Sequence, residues 1–129
     1  MLFRSHVMHC IKVLAQEMNC PVLVLSPLTR SPDKREDHRP RLNDIRNYRE
    51  VVDLCDNVLF LYRDAYYRHL ASRSNLHFAE VLVAKQANGP LGLAEVIFLP
   101  EYGKFEPMVG EKKFTFDDTD QDLEEELPF

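Results

Sequence analysis

From residue 4 to residue 19 the apolar positions Val7, Ile11, Leu14, Ala15 and Met18 recur at i, i+4, i+7, i+8 and i+11, the period of one buried helical stripe. The spacing predicts a first helix, which Pro21 cannot continue. Residues 22–25 (Val-Leu-Val-Leu) are apolar on both faces and bounded by Pro21 and Ser26-Pro27, so they predict a strand inside a parallel sheet. Residues 26–41 have prolines and alternating charges but no apolar period, which reads as a long mobile loop. A second helix is predicted from an N-cap at Asn43, with Asp44 at the positive end of its dipole and Ile45, Tyr48 and Val52 facing inward, to an end near Cys55.

Residues 57–62 (Asn-Val-Leu-Phe-Leu-Tyr) predict a second buried strand, and residues 63–75 form a polar connection. Two β-rich runs, 78–85 and 93–99, flank a turn in which Asn88-Gly89 is expected to supply positive φ angles, giving a β-hairpin. Beyond Phe105 the apolar pattern fades, and residues 115–126 read as a solvated, disordered acidic run. Helix, strand, loop, helix, strand and hairpin in that order predict an α/β sheet. A crossover helix needs a strand before it, and residues 1–3 are too short to be one, so the chain reads as a piece of a larger fold.

Length and composition narrow this to one domain: 129 residues, 45% hydrophobic and 29% charged, are too apolar for a disordered chain and too few for two ordinary domains. No run approaches the roughly 20 apolar residues of a membrane span, and the first residues lack the order of a signal peptide, so a soluble cytoplasmic protein is expected. The net charge of -5 conceals an uneven distribution. Residues 111–129 carry eight acids against two bases, which leaves the body, residues 1–110, at +1. Inside that body, residues 30–49 hold seven bases (Arg30, Lys34, Arg35, Arg39, Arg41, Arg46, Arg49) against four acids, a local basic segment open to two readings, a DNA-facing surface or an ordinary solvated loop.

Other chemistry is sparser. Cys10, Cys20 and Cys55 are widely spaced without a CxxC pair, so reduced thiols are expected, with Cys20 and Cys55 as small buried side chains. His6, His9 and Cys10 share one helix side at metal-ligand spacing, but no second ligand cluster accompanies them, and a helix-face or subunit contact is the expected role. Tyr62, Tyr66, Tyr67 and Phe78 could stack on bases; beside a core strand, packing is the expected role.

Five stretches, in order, carry a resemblance: KVLAQEMNCPVLVLSPLTRS (12–31), RPRLNDIR (39–46), DNVLFLYRDAYY (56–67), EVLVAKQANGPLG (80–92) and LAEVIFLPEYGKFE (93–106). Together they resemble the C-terminal motor domain of DnaB-type replicative DNA helicases, over roughly residues 4–106. The resemblance implies an α/β fold, part of a RecA-like P-loop NTPase domain with a central sheet, flanking helices and a C-terminal β-hairpin, here without the P-loop strand. It also implies a family role in ATP-dependent unwinding during DNA replication, with ATP and magnesium as the family's cofactors, single-stranded DNA as a partner, and self-association or assembly with a helicase ring.

Against that pattern the chain departs at several positions. No GxxxxGK[ST] occurs in it, and its glycines are Gly89, Gly92, Gly103 and Gly110 alone. The family's γ-phosphate-sensing Gln position is Pro27, and of the family's Lys-Gln-Arg the chain keeps Lys85 and Gln86 but has Ala87 for the finger arginine, a group worth about a thousandfold or more in turnover. Taken alone, the chain is therefore expected to hold no nucleotide cofactor and to have no catalytic residue, with Lys85 as the remaining nucleotide-related position, reaching a neighbouring subunit. In the family's DNA loop this chain reads Arg46-Asn47-Tyr48-Arg49, one acid fewer and one base more than the usual Arg-Glu-Ser-Gly. Arg46, Asn47, Arg49, Arg30 and Arg41 are accordingly the expected DNA contacts.

Overall fold

Helix α1 runs Leu2–Met18 and stops where Asn19 takes a left-handed conformation (φ 50°), one that asparagine tolerates better than most residues. The computed structural model describes residues 2–67, 77–108 and 114–116. The apolar stripe that predicts α1 is not buried in it: Val7, Leu14 and Met18 are exposed, while Ile11 and Ala15 are half-buried.

Residues 22–25 do not form the predicted strand. They run as irregular backbone with Leu23 85% and Leu25 89% exposed, and Cys20 beside them is exposed rather than buried. A parallel strand exists only where neighbours complete its hydrogen-bond ladder. The strands among the described residues pair antiparallel with one another and leave this run without a ladder.

The loop that follows is tied down, contrary to its expected mobility. It contains two 3-10 turns, Pro32–Lys34 and Leu42–Asp44, with Pro32, Pro40 and Asp44 buried. Asp44 explains the late start of the second helix. Its carboxylate is 1% exposed, accepts both guanidinium ends of Arg35 (2.9 and 2.7 Å) and accepts the Arg41 backbone N–H (2.7 Å). Held in a 3-10 turn, Asp44 cannot open an α-helix, so Asn43 is not the cap. The chain turns left-handed at Asn47 (φ 58°), and α2 spans only Tyr48–Leu54, ending at Cys55 as the sequence predicts.

Strand β1 (Asn57–Tyr62) follows, then the short helix α3 (Asp64–Tyr67) and the strands β2 (Phe78–Gln86), β3 (Gly92–Leu99), β4 (Lys104–Pro107) and β5 (Phe114–Phe116). The sheet order is β1-β2-β3-β4, and β5 pairs β3 alongside Gly92, Leu93 and Ala94. The hairpin is present, but neither Asn88 nor Gly89 has positive φ. Its loop spans residues 87–91, and loops of that length are built around turns that need no left-handed residue. Among the described residues the left-handed glycine is Gly103, in the β3–β4 turn. The acidic segment lies mostly outside the described residues, but 114–116, two phenylalanines around a threonine, are sheet rather than solvated coil.

Burial along β1 alternates as a half-buried strand requires: Val58, Phe60 and Tyr62 inward, Leu59 and Leu61 outward. The inward row continues across the sheet, with Phe60 opposite Leu82 and Leu82 opposite Leu93, and with Tyr62 opposite Glu80 and Glu80 opposite Glu95. Arg39 closes over this face. Its guanidinium forks onto Glu80 (2.8 and 2.8 Å) and lies 4.9 Å from the centre of the Tyr62 ring.

Candidate nucleic-acid interface

The basic segment is built from the inside outward. Arg35, sequestered by Asp44, also donates to the Arg39 carbonyl at 2.8 Å, and the Thr29 N–H donates to the Asp44 carbonyl at 2.9 Å. These bonds close residues 29–44 into a loop with a narrow neck. His38 stacks on Tyr67 at 4.4 Å between ring centres, with its Nδ1 2.8 Å from the Pro32 carbonyl, and fixes the loop's far side against α3. This framework fixes the backbone from which the remaining arginines project.

Six arginines lie between residues 30 and 49, and they fall into two groups. Arg35 and Arg39 are paired with Asp44 and Glu80 and hold the loop to itself and to the sheet. Arg30, Arg41, Arg46 and Arg49 are exposed, and among the described residues none of them forms an ion pair. Arg30 leaves the neck next to Thr29 and Arg46 leaves it two residues after Asp44; Arg41 opens the Leu42–Asp44 turn. Arg49 sits in the first turn of α2, its Nε donating to the Tyr48 hydroxyl at 3.3 Å. Asn47 carries the left-handed bend, so the chain reverses two residues before Arg49, which has ordinary helical backbone.

Lys85 is not brought to this group. It lies at the opposite end of α2, where its Nζ donates to the Val52 carbonyl at 2.7 Å and caps the helix's negative end. Pro27 is exposed in the irregular run, and the Ala87 N–H donates to the Asp56 carbonyl. His6 Nε2 and Cys10 Sγ lie 3.7 Å apart on an exposed face of α1, and no group of three potential metal ligands converges among the described residues.

The electrostatics follow the pairing. The hydrogen bonds from Arg35 hold the Asp44 carboxyl below the usual carboxylate range against the opposing effect of burial. Asp56 is likewise lowered by its bond to Lys12 (2.8 Å). Burial, then the hydrogen bond it donates to Asp64, pushes the Tyr62 hydroxyl up to about 12. Desolvation raises the Cys55 thiol, so this cysteine is not an activated nucleophile. Of the aromatic candidates, Tyr62 is buried and Tyr67 is stacked against His38, which makes both packing groups; Tyr66 and Phe78 are exposed. The structural pair Arg35–Asp44 is not marked by any motif, since nothing in the sequence distinguishes these two residues from their charged neighbours.

With that geometry in place, the relatives decide the family. The DnaB-like helicase C-terminal domain family matches residues 4–107. The chain belongs to that family. It is 42% identical over 101 residues to the replicative DNA helicase DnaB of Geobacillus stearothermophilus and 40% identical over 101 residues to the replicative DNA helicase DnaC of Bacillus subtilis (strain 168), each match covering 78% of this chain. Among solved structures it is similar to the ATPase domain of G40P (TM-score 0.73, 35% identity, 81% of this chain and 36% of that one). It is similar also to a DnaB-like replicative helicase studied with primase (TM-score 0.74, 36% identity, 81% and 24%). The chain spans about a fifth, 22%, of the length of the two bacterial helicases. Its central sheet with flanking helices resembles a RecA-like domain. Among the described residues no helix is long and apolar enough to cross a membrane.

Proposed function

We propose that this DnaB-like helicase domain contributes a single-stranded DNA contact through Arg30, Arg41, Arg46, Asn47 and Arg49, and that by itself it does not hydrolyse ATP. The observation that carries the first part is the division of the arginines. Two are consumed in holding the loop, and four on or next to it are exposed and form no ion pair among the described residues. Cations displayed on a fixed frame bind phosphates without base preference and release counterions as they do so. Binding of a fluorescent oligonucleotide should fall steeply with salt. Arg46→Ala with Arg49→Ala should reduce both the affinity and the salt slope, by about two for two phosphate contacts. Binding that ignores salt or these substitutions would reject the reading.

The second part rests on Pro27, Ala87 and the lack of GxxxxGK[ST] in these 129 residues. Phosphate release above buffer from rigorously purified chain would overturn it. A second reading has its own observation, the exposed run at residues 22–25 beside the exposed stripe of α1. Apolar surface of this kind fits assembly with a helicase ring or with a polypeptide that supplies further strands and a P-loop. In such a mixture Lys85 is the candidate nucleotide contact in trans. Lys85→Ala would then lower the mixture's ATPase, whereas its bond to Val52 alone predicts only a modest loss of stability, on the order of 1 kcal/mol.

A further inference from the structure

On α1 the half-buried positions Met8, Ile11, Lys12 and Ala15 mark the side turned toward the rest of the chain. The opposite side carries His6 and Cys10, both exposed. They stand one helical turn apart, with His6 Nε2 3.7 Å from Cys10 Sγ. A nitrogen and a sulfur bound to one tetrahedral zinc ion, at about 2.05 and 2.3 Å from it, lie about 3.6 Å from each other. The two side chains are thus already at the spacing of two ligands on one ion. Imidazole and thiolate select zinc or a similar soft cation, whereas magnesium and calcium take oxygen ligands.

Two donors fill half of a tetrahedral shell, and among the described residues no third donor of this chain converges on them. His9 adjoins Cys10 in sequence but is turned about 100° round the helix from it. A two-fold contact sets the same patch of a second copy opposite the first, and with it the same two donors. The surface beside the pair suits such a contact, since Val7 and Leu14, one turn to either side of Cys10, are 38% and 51% exposed. His6, Cys10 and Leu14 also share one row at steps of four, the ridge that meets a second helix in the commonest helix–helix packing. We propose that two copies of this chain hold one zinc ion between their α1 helices, through His6 and Cys10 of each, with Val7 and Leu14 closing around it. The two thiolates balance the charge of the ion, and each thiol releases its proton to solvent on binding.

The test is a cobalt titration of the full chain kept reduced, because tetrahedral cobalt with thiolate ligands has visible bands and a thiolate charge-transfer band that the aqueous ion lacks. These bands should grow to an end point of one ion to two chains and be displaced by zinc. Cys10→Ser and His6→Ala should each abolish them, whereas His9→Ala and Cys20→Ser should leave intensity and end point unchanged. All four positions are exposed, so the fold should tolerate each exchange. In a chain carrying Leu23→Ser and Leu25→Ser, which lacks the other exposed apolar run, zinc should convert monomer to dimer in sedimentation velocity and a chelator should reverse it. The proposal is overturned by a titration without tetrahedral bands, by an end point of one ion to one chain, by bands that survive Cys10→Ser or His6→Ala, or by an association indifferent to zinc and chelator.

Discussion

Residues 21–28 and residues 29–45 are adjacent in sequence and opposite in fate. The first stretch is the more apolar and is exposed throughout, with Leu23 and Leu25 almost fully in solvent; the second is dense in charge, yet buries Pro32, Pro40 and the carboxylate of Asp44. Hydropathy sets what a segment gains from burial, and geometry sets whether there is anything to be buried against. The apolar run has no ladder partner among the described residues. The charged run has Glu80, Tyr62 and Tyr67 on the sheet side, and within itself the donor and acceptor pair of Arg35 and Asp44.

The strongest way to break this contrast is to remove the charged loop's anchor. Asp44→Ala strands a partly buried guanidinium and the Arg41 N–H, and is expected to cost about 3 kcal/mol in urea denaturation. Replacing both partners, Asp44→Leu with Arg35→Met, should recover much of the loss, because two apolar groups leave no unpaired charge. If the single variant were as stable as the parent, the loop would owe its order to something other than this pair.

Acid probes the same anchor more gently. The folded pKa of Asp44 lies below its unfolded value of about 3.9, so the contribution is fully present above that value and is lost as pH falls through the folded pKa. Stability should therefore decline on acidification through that window, and the decline should be shallower in Asp44→Ala. Identical slopes would assign the acid sensitivity to other carboxylates, with Asp56 the next candidate.

A smaller effect belongs to the contact between loop and sheet. Glu80 and Glu95 stand directly opposite on β2 and β3, an unfavourable like-charge pair that Arg39 offsets at one member. Arg39→Ala should cost on the order of 1 kcal/mol, since the pair is partly exposed, and Glu95→Gln should restore part of it. Lack of any coupling in the double-variant cycle would show that the loop rests on the sheet without restraining it.

What could be read from the sequence follows the same division. α1, β1 and the β2–β3 hairpin depend on local period, and they stand within a few residues of where Val7 to Met18, residues 57–62 and the runs 78–85 and 93–99 place them, although the hairpin turn does not use the positive φ angles expected at Asn88-Gly89. The exposed arginines were legible too, through charge count and resemblance. The failures are non-local. Nothing near residues 22–25 says that no described strand pairs with them, and no periodicity marks Asp44 as the acceptor of an arginine nine residues earlier. Asn43 has the chemistry of a cap, but the carboxylate beside it was already bound, which moved the helix start to Tyr48.

The least costly substitution is the most informative about the exposed run. Leu23→Ser with Leu25→Ser removes two large side chains that touch little, so the unfolding free energy should stay within about 0.5 kcal/mol of the parent. Solution behaviour should change more. Two-faced apolar backbone with unpaired N–H and C=O groups is a template for edge pairing, so the parent should self-associate with rising concentration and the variant should do so less in sedimentation velocity. A parent that sediments as a monomer at all concentrations would mean that the run finds a partner within its own chain. A variant that loses stability by a full kcal/mol or more would mean the same, and the contrast between the two neighbouring stretches would then dissolve into two differently buried halves of one packed unit.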